Sequence, residues 1–493
     1  MPAEPTAPEA PVASLTPVTP APVMSTPATS AGRAPGALDL APPRQVHVVG
    51  VGGVGMSAIA TVLAGMGHRV SGSDVKASPV TERLRALGIG VSIGHDPEQV
   101  AGADLVTYSP AVPEDNIELA EARRRGIAVV RRSAVLAAIA ATRRCVAVAG
   151  THGKTTTASM LSLILVEAGL RPSYLIGADV NETGTNALWD TGEWLVMEAD
   201  ESYGSFGSLR SDIALVTNVE PDHLDHYGTF DSLADAFVHY LTSSGRRVVS
   251  ADDPVAARLG AQAGAATVGT SPDATYRIGR IVAGRSAIGF DLHGPAGRLG
   301  RIELPVPGAH NARNAALAVV GAIEVGAPFE AATSALARFA GVPRRFEFRG
   351  EAGGITFVDD YAHLPTEVRA TLAAAKAGEW RRIVAVFQPH RYTRTAALAE
   401  SFATAFDDAD LIFITDVYSA GETPVPGVSG RLVADAVSRR GGGHPVVYVS
   451  TRDELRAAVA AMLQPGDLCV TLGAGDLTTL PEELMALRSE VDG

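Results

Sequence analysis

Two glycine-rich segments, each set between an apolar strand-like run and a helical stretch, confine this chain to stacked β-α units. The first, Gly50-Val51-Gly52-Gly53-Val54-Gly55, follows residues 46–49 and opens a helix predicted near 56–66. The second, Gly150-Thr151-His152-Gly153-Lys154-Thr155-Thr156-Thr157, follows residues 145–149 and opens a helix running through Ala168. Such turns put backbone N–H groups and a helix N-terminus at the carboxyl edge of a parallel sheet, where α/β proteins bind ligands. Short β-branched runs recur behind each, at 105–107 and 127–130, then at 194–198 and 213–217. Residues 276–304 alternate as hairpins do, which makes the central part mixed. Beyond Gly341 the parallel rhythm resumes at 355–359, 383–387, 411–415, 446–449 and 468–471. A chain of 493 residues exceeds what one core usually serves. The expected fold is α/β in three domains. An N-terminal Rossmann-like domain covers 44–143, a central P-loop-type mononucleotide-binding α/β domain 144–341, and a C-terminal Rossmann-like domain 342–493. Residues 1–43 hold 11 of the 31 prolines and no periodic apolar face, so a disordered tail is expected there.

The first loop, with Asp74 at the end of the next strand-like run, suits a pyrophosphate and a ribose. Both NAD and a UDP-sugar carry those groups, and a glycine-rich packing turn is the bland alternative. The second loop departs from the standard P-loop, because Val148 stands where the usual spacing needs glycine. Its physics survives: N–H donors and the Lys154 cation suit β- and γ-phosphates, and the Thr155 hydroxyl suits Mg²⁺. ATP use is expected. Glu198-Ala199-Asp200-Glu201-Ser202 ends an apolar run with hard oxygen ligands suited to Mg²⁺, or forms a solvated acidic turn. Asp222, His223, Asp225 and His226 invite zinc, but with no cysteine nearby magnesium ranks above it. The clusters at 310–314, 344–347, 359–363 and 388–394 supply amides, arginines and carboxylates suited to adenine, ribose and anionic intermediates, though each alone could be a cap or a surface ion pair.

A net charge of −13 argues against general nucleic-acid binding, so an anionic ligand must meet local positive charge. The only two cysteines, Cys145 and Cys469, lie in apolar runs and support no disulfide framework, in keeping with a reducing compartment. With no uninterrupted apolar stretch of about 18 residues and no signal-peptide pattern, a cytoplasmic protein without membrane insertion is expected.

The ordered set GVGGVGMSAIA, GTHGKTTT, EADES, NVEPDHLDHY, PGAHNARNA, RRFE, DDYAHLPTEV, FQPHRYTRT and DVYSAGETPVPG resembles the Mur ligase family, most closely its alanine-adding branch. The resemblance runs from about Val46 to the C-terminus. It implies an ATP-dependent ligase that joins L-alanine to the lactyl carboxylate of UDP-N-acetylmuramic acid through an acyl phosphate, in peptidoglycan precursor synthesis. A relative that adds a preformed tripeptide to the same nucleotide sugar in cell-wall recycling is the alternative, and an NAD-dependent oxidoreductase a remoter one. By the resemblance Gly52, Gly53, Val54, Gly55, Met56 and Ser57 hold the UDP part, and Asp74, by its placement after the next strand-like run, joins them. Gly150, Thr151, His152, Gly153, Lys154, Thr155, Thr156, Asn311, Asn314, Arg345 and Asp360 bind ATP. Thr155, Glu198 and His223 hold Mg²⁺. Lys154, His363, Arg391 and Arg394 are the candidate catalytic residues, the last three receiving L-alanine. The resemblance also implies domain closure and a monomer or weak dimer. Ala362, Leu364 and Tyr203 depart from the pattern common among relatives.

Overall fold

The computed structural model of the chain describes residues 38–202, 209–441 and 443–492. Most of the Pro-rich stretch, and Tyr203, lie outside those residues. The expected start at 44 falls late, because Leu40 is already buried in the first core and Leu38 packs against it.

Three sheets carry the fold. The first has the all-parallel order Gly90–Ile93, Arg69–Asp74, Gln45–Val49, Leu105–Tyr108, Ala128–Arg131. Strand order reverses at Gln45–Val49, which opens a crevice at its carboxyl end, and residues 50–53 lie there. The second sheet has ten strands. Its parallel centre places Arg144–Ala149 between Trp194–Glu198 and Ile213–Val216. One end is extended by the antiparallel strands Tyr276–Ala283, Ile288–Gly294 and Gly297–Leu304, as the alternating pattern foretold. The third sheet has six strands, with Ile355–Asp360, Asp467–Leu472, Arg382–Phe387, Leu411–Ile414 and Val446–Tyr448 parallel and Glu347–Ala352 antiparallel at its edge.

The cores show which parts are joined firmly. One apolar cluster runs from Val46 and Ile59 of the first part to Ala147, Met197 and Phe237 of the second. The helix Val54–Gly65 packs on the strands Ser173–Val180 and Thr185–Leu188, and Asn186 donates to the Val54 carbonyl at 3.1 Å. The Arg143 guanidinium covers the Trp189 ring at 3.7 Å beside this joint. The C-terminal part has cores of its own. Burying shared apolar area is the main non-directional stabilisation available, so the first two parts share a core while the third is packed around its own.

Candidate active site

The second glycine loop is wired to the strand beside it. The Asn218 side chain accepts from the His152 N–H at 2.8 Å and donates to the His152 carbonyl at 3.0 Å, while Thr151 N–H reaches the Asn218 carbonyl at 3.1 Å. Gly153 has φ +80°, and a Cβ there would lie 2.6 Å from Asn314 Oδ1. The loop therefore needs glycine both for its left-handed backbone and for the approach of Asn314.

Lys154 begins the helix Lys154–Glu167 and bends back over the loop, donating to both oxygens of Glu201 at 2.9 Å. Burial works against its charge, but Glu201 and Asp200 more than offset that and hold its pKa above the ordinary value. Glu201 belonged to the acidic run read as a magnesium cluster; here it serves the lysine instead. Glu198 faces the loop from the neighbouring strand. It accepts from the Gly177 N–H at 2.5 Å and is hydrogen-bonded to Thr155, while burial raises its pKa. A Cβ on Gly177 would stand 2.9 Å from Glu198 and 3.2 Å from Thr155 Oγ1, so the absent side chain keeps open the space around these two groups. A hydroxyl and a carboxylate together in a cradle fit Mg²⁺, which needs few protein oxygens once phosphates supply the rest. His223, with left-handed backbone at φ +53°, lies 3.6 Å from Asp222. Of the other residues in that loop read as a possible zinc site, the Asp225 side chain lies outside those described.

Two cavities meet at this loop. One of about 290 Å³ runs between Gly153, Thr156, Asn311, Asn314, Arg345 and Asp360. Asn311 is fixed there by donating to the Pro307 carbonyl at 2.7 Å. Asp360 is buried and accepts from the N–H groups of Phe346 and Ala362, each at 2.8 Å, yet burial pushes its pKa up to about 6. The other cavity, of about 260 Å³, is lined by Lys154, Thr155, His223, His363, Arg391 and Arg394. His363 donates from Nδ1 to the Tyr361 carbonyl at 3.0 Å, and burial lowers its pKa to about 4, so at pH 7 it is neutral with Nε2 as the acceptor. Its ring meets His390 edge-on at 5.6 Å, and His390 stacks on Tyr418 at 5.7 Å. Arg391 adopts φ +68°, held by its N–H to the Tyr418 carbonyl at 2.8 Å. Arg394 reaches Asp222 at 3.4 Å.

The first glycine loop is only partly as expected. Asp74 accepts from the Gly52 N–H at 2.9 Å and so shapes the loop. Val54 and Gly55, at the helix start, have no carbonyl one turn earlier and offer their N–H groups to a ligand. Met56 is buried in the core, and Ser57 is buried with its hydroxyl donating to the Val54 carbonyl at 2.9 Å. Both of their N–H groups already bond the Gly53 carbonyl, so these two residues support the loop from beneath. Ala362 and Leu364 are buried too, which makes them packing residues.

Family models describe all three parts: "Mur ligase family, catalytic domain" over 45–144, "Mur ligase middle domain" over 148–322 and "Mur ligase, glutamate ligase domain" over 344–475. The chain belongs to the Mur ligase family. It is 45% identical over 450 residues to the UDP-N-acetylmuramate–L-alanine ligase of Anaeromyxobacter sp. strain Fw109-5, covering 90% of this chain and 98% of that one. The crystal structure of the UDP-N-acetylmuramate–alanine ligase of Thermotoga maritima superposes with a TM-score of 0.77 at 29% identity, covering 91% of this chain and 100% of that one. A murein peptide ligase from Psychrobacter arcticus shares the fold, with a TM-score of 0.64 at 24% identity over 90% of this chain and 98% of that one. The oxidoreductase alternative falls with the family. Among the described residues no helix of this Mur ligase is long and apolar enough to cross a membrane.

Two carboxylates of the Mur ligase site, Glu220 and Glu367, had no role assigned from sequence, and two more, Glu201 and Asp222, were read as metal ligands where the structure pairs them with Lys154 and Arg394. Each lies inside a motif already quoted. What sequence could not supply was the partner, since Glu367 meets His152 across 215 positions.

Proposed function

We propose that this Mur ligase joins L-alanine to the lactyl carboxylate of UDP-N-acetylmuramic acid at the expense of ATP, giving ADP and phosphate, in the cytoplasmic synthesis of peptidoglycan precursors. The observation that carries the reading is the pair of cavities joined at Gly153 and Arg345, one lined by amides and a carboxylate and the other by cations. The identity to relatives named for alanine addition supports the amine.

The adenosine of ATP occupies the first cavity, with Asn311 and Asn314 near the base and Asp360 near the ribose. Its phosphates follow the loop 150–153 toward Lys154, which must release Glu201 to meet them. Thr155, Glu198 and His223 would hold Mg²⁺, which would neutralise charge on the phosphates. The nucleotide sugar lies along the N–H groups of Gly53, Val54 and Gly55, shaped by Gly52 and Asp74, with its lactyl group reaching toward Lys154.

A carboxylate oxygen attacks the γ-phosphorus, the bond to the β-phosphate oxygen breaks, and ADP leaves. Lys154 and Arg345 stabilise the charge on the transferred group. The alanine amine then attacks the acyl carbon, forming the C–N bond and expelling phosphate as the nitrogen loses its proton. Arg391 and Arg394 hold the alanine carboxylate, and neutral His363 accepts a hydrogen bond from the amine at Nε2. An acyl phosphate requires that ¹⁸O in the lactyl carboxylate appear in the released phosphate. Release of phosphate free of the label during amide formation would rule out this route.

A further inference from the structure

Among the described residues, no apolar cluster crosses the segment 343–345: the first clusters end at Val342 and those of the C-terminal part begin with Phe346. The joint itself is strained, since Arg344 and Phe346 have φ +59° and +50° without being glycine. Such a part is held in place by polar contacts, and the densest group of these lies next to the phosphate loop. Thr366 Oγ1 donates to Glu220 at 2.7 Å and lies 3.1 Å from His152 Nε2. Glu367 meets His152 Nδ1 at 3.0 Å, and Glu220 lies 3.2 Å from His152 Nε2.

We propose that Thr366 and Glu367, closing on His152 and Glu220, form a latch that holds the C-terminal part shut and sets the amine side of the site through Glu367. The fixed half cannot follow the moving one. The backbone of His152 is pinned on both sides by Asn218, and the Glu220 N–H donates to Thr151 Oγ1 at 2.9 Å. The moving half begins the helix Pro365–Lys376, with only Leu364 between it and His363. Glu367 accepts from the N–H groups of His363 and Leu364 at 2.9 and 3.2 Å and lies 3.8 Å from Arg345. One carboxylate therefore engages the phosphate loop, the amine-side histidine and an arginine lining both cavities.

Charge gives the latch its strength. Glu220 and Glu367 are brought together by closure and would repel, so a cation must stand between them. Burial disfavours charge on His152, but the two carboxylates override it and raise its pKa to about 9, so it is a cation at pH 7. Both carboxylates are held below their ordinary range, despite burial, with His152 among the causes. Arg345 and His363 face Glu367 from the moving side, while Asp253 and Asp360 add like charge near Glu220 and Glu367. His152 thus serves as a positioning residue, independently of any contact it makes with phosphate.

The test uses the full chain with Thr366→Val, Thr366→Ser and Glu220→Gln. Small-angle X-ray scattering is recorded with and without a non-hydrolysable ATP analogue, and turnover is measured with saturating ATP and nucleotide sugar. Thr366→Val and Glu220→Gln should each expand the particle and lower kcat about tenfold, as loss of one charge-assisted hydrogen bond allows. Thr366→Ser, which keeps the hydroxyl, should restore both. Wild-type scattering and turnover in Thr366→Val would overturn the latch, as would a serine variant no better than valine. Should Glu220→Gln misfold, the Thr366 pair decides alone. The latch rests on the proposed reaction only for its kinetic arm; scattering needs no amine, so the two readings fail separately.

Discussion

Replacing Lys154 by methionine should do two kinds of damage, which the structure allows to be separated. The lysine side chain is 16% exposed and its partner Glu201 only 2%, so the variant strands a buried carboxylate. Removing one member of a buried ion pair costs about 3–5 kcal/mol. Lys154→Met should therefore melt well below wild type even without substrates. Adding Glu201→Gln removes the orphaned charge, and the double variant should recover to within about 1.5 kcal/mol, the scale of an ordinary hydrogen bond. Turnover should follow a different rule. Loss of one electrostatic donor to a developing charge costs about 10²–10³ in kcat. Both variants should lose at least that, the double one while folded. Thermal melting followed by far-ultraviolet circular dichroism gives the first number, and phosphate release the second. A single variant as stable as wild type would refute the ion-pair reasoning, and a double variant with near wild-type turnover would refute the role of the ammonium.

Gly153→Ala should raise the KM for ATP about tenfold and cost about 1 kcal/mol of stability, since its φ of +80° disfavours a side chain and the new methyl meets Asn314; unchanged nucleotide titration would contradict this. Glu198→Gln should leave the melting temperature unchanged or raised, because burial already disfavours the charged carboxylate, while the Mg²⁺ needed for half-maximal rate should rise; a metal response identical to wild type would exclude Glu198 as a ligand. Asp360, raised by burial to about 6, stabilises the fold fully below its unfolded pKa near 4 and loses that contribution as pH climbs through 6. Asp360→Asn should flatten that part of the stability profile, and a slope preserved in the variant would count against it. For His152, raised to about 9, the contribution is complete below about 6.5 and is lost as pH rises through 9. His152→Gln should abolish the alkaline fall in melting temperature, and an unaltered fall would assign it elsewhere.

Local grammar carried most of the fold. The glycine loops were legible because strand, turn and helix adjoin in sequence, and strands such as Ile213–Val216 and Leu411–Ile414 are buried on both faces and read as continuous apolar runs. Strands such as Gly90–Ile93 and Thr185–Leu188 were harder, since they lie at sheet edges and their part-exposed residues break the pattern. Leu40 escaped notice because it sits at the end of a Pro-rich stretch with no period to mark it as core. In the site, residue types revealed chemistry but not pairing. Lys154 was evident as a cation, whereas Glu201 as its resting partner depended on two strands lying side by side. Met56 and Ser57 were placed in the loop by the family resemblance, and helical rotation turns both side chains into the interior.

The most direct test of the proposed reaction measures phosphate release from ATP and Mg²⁺ with UDP-N-acetylmuramic acid, comparing L-alanine, the tripeptide and no amine, with products identified by mass. Release that depends on L-alanine, together with a UDP-N-acetylmuramoyl-L-alanine product, is the expected result. Release with the tripeptide alone would move the chain to the recycling reaction, and no release with any amine would contradict the assignment of the substrate.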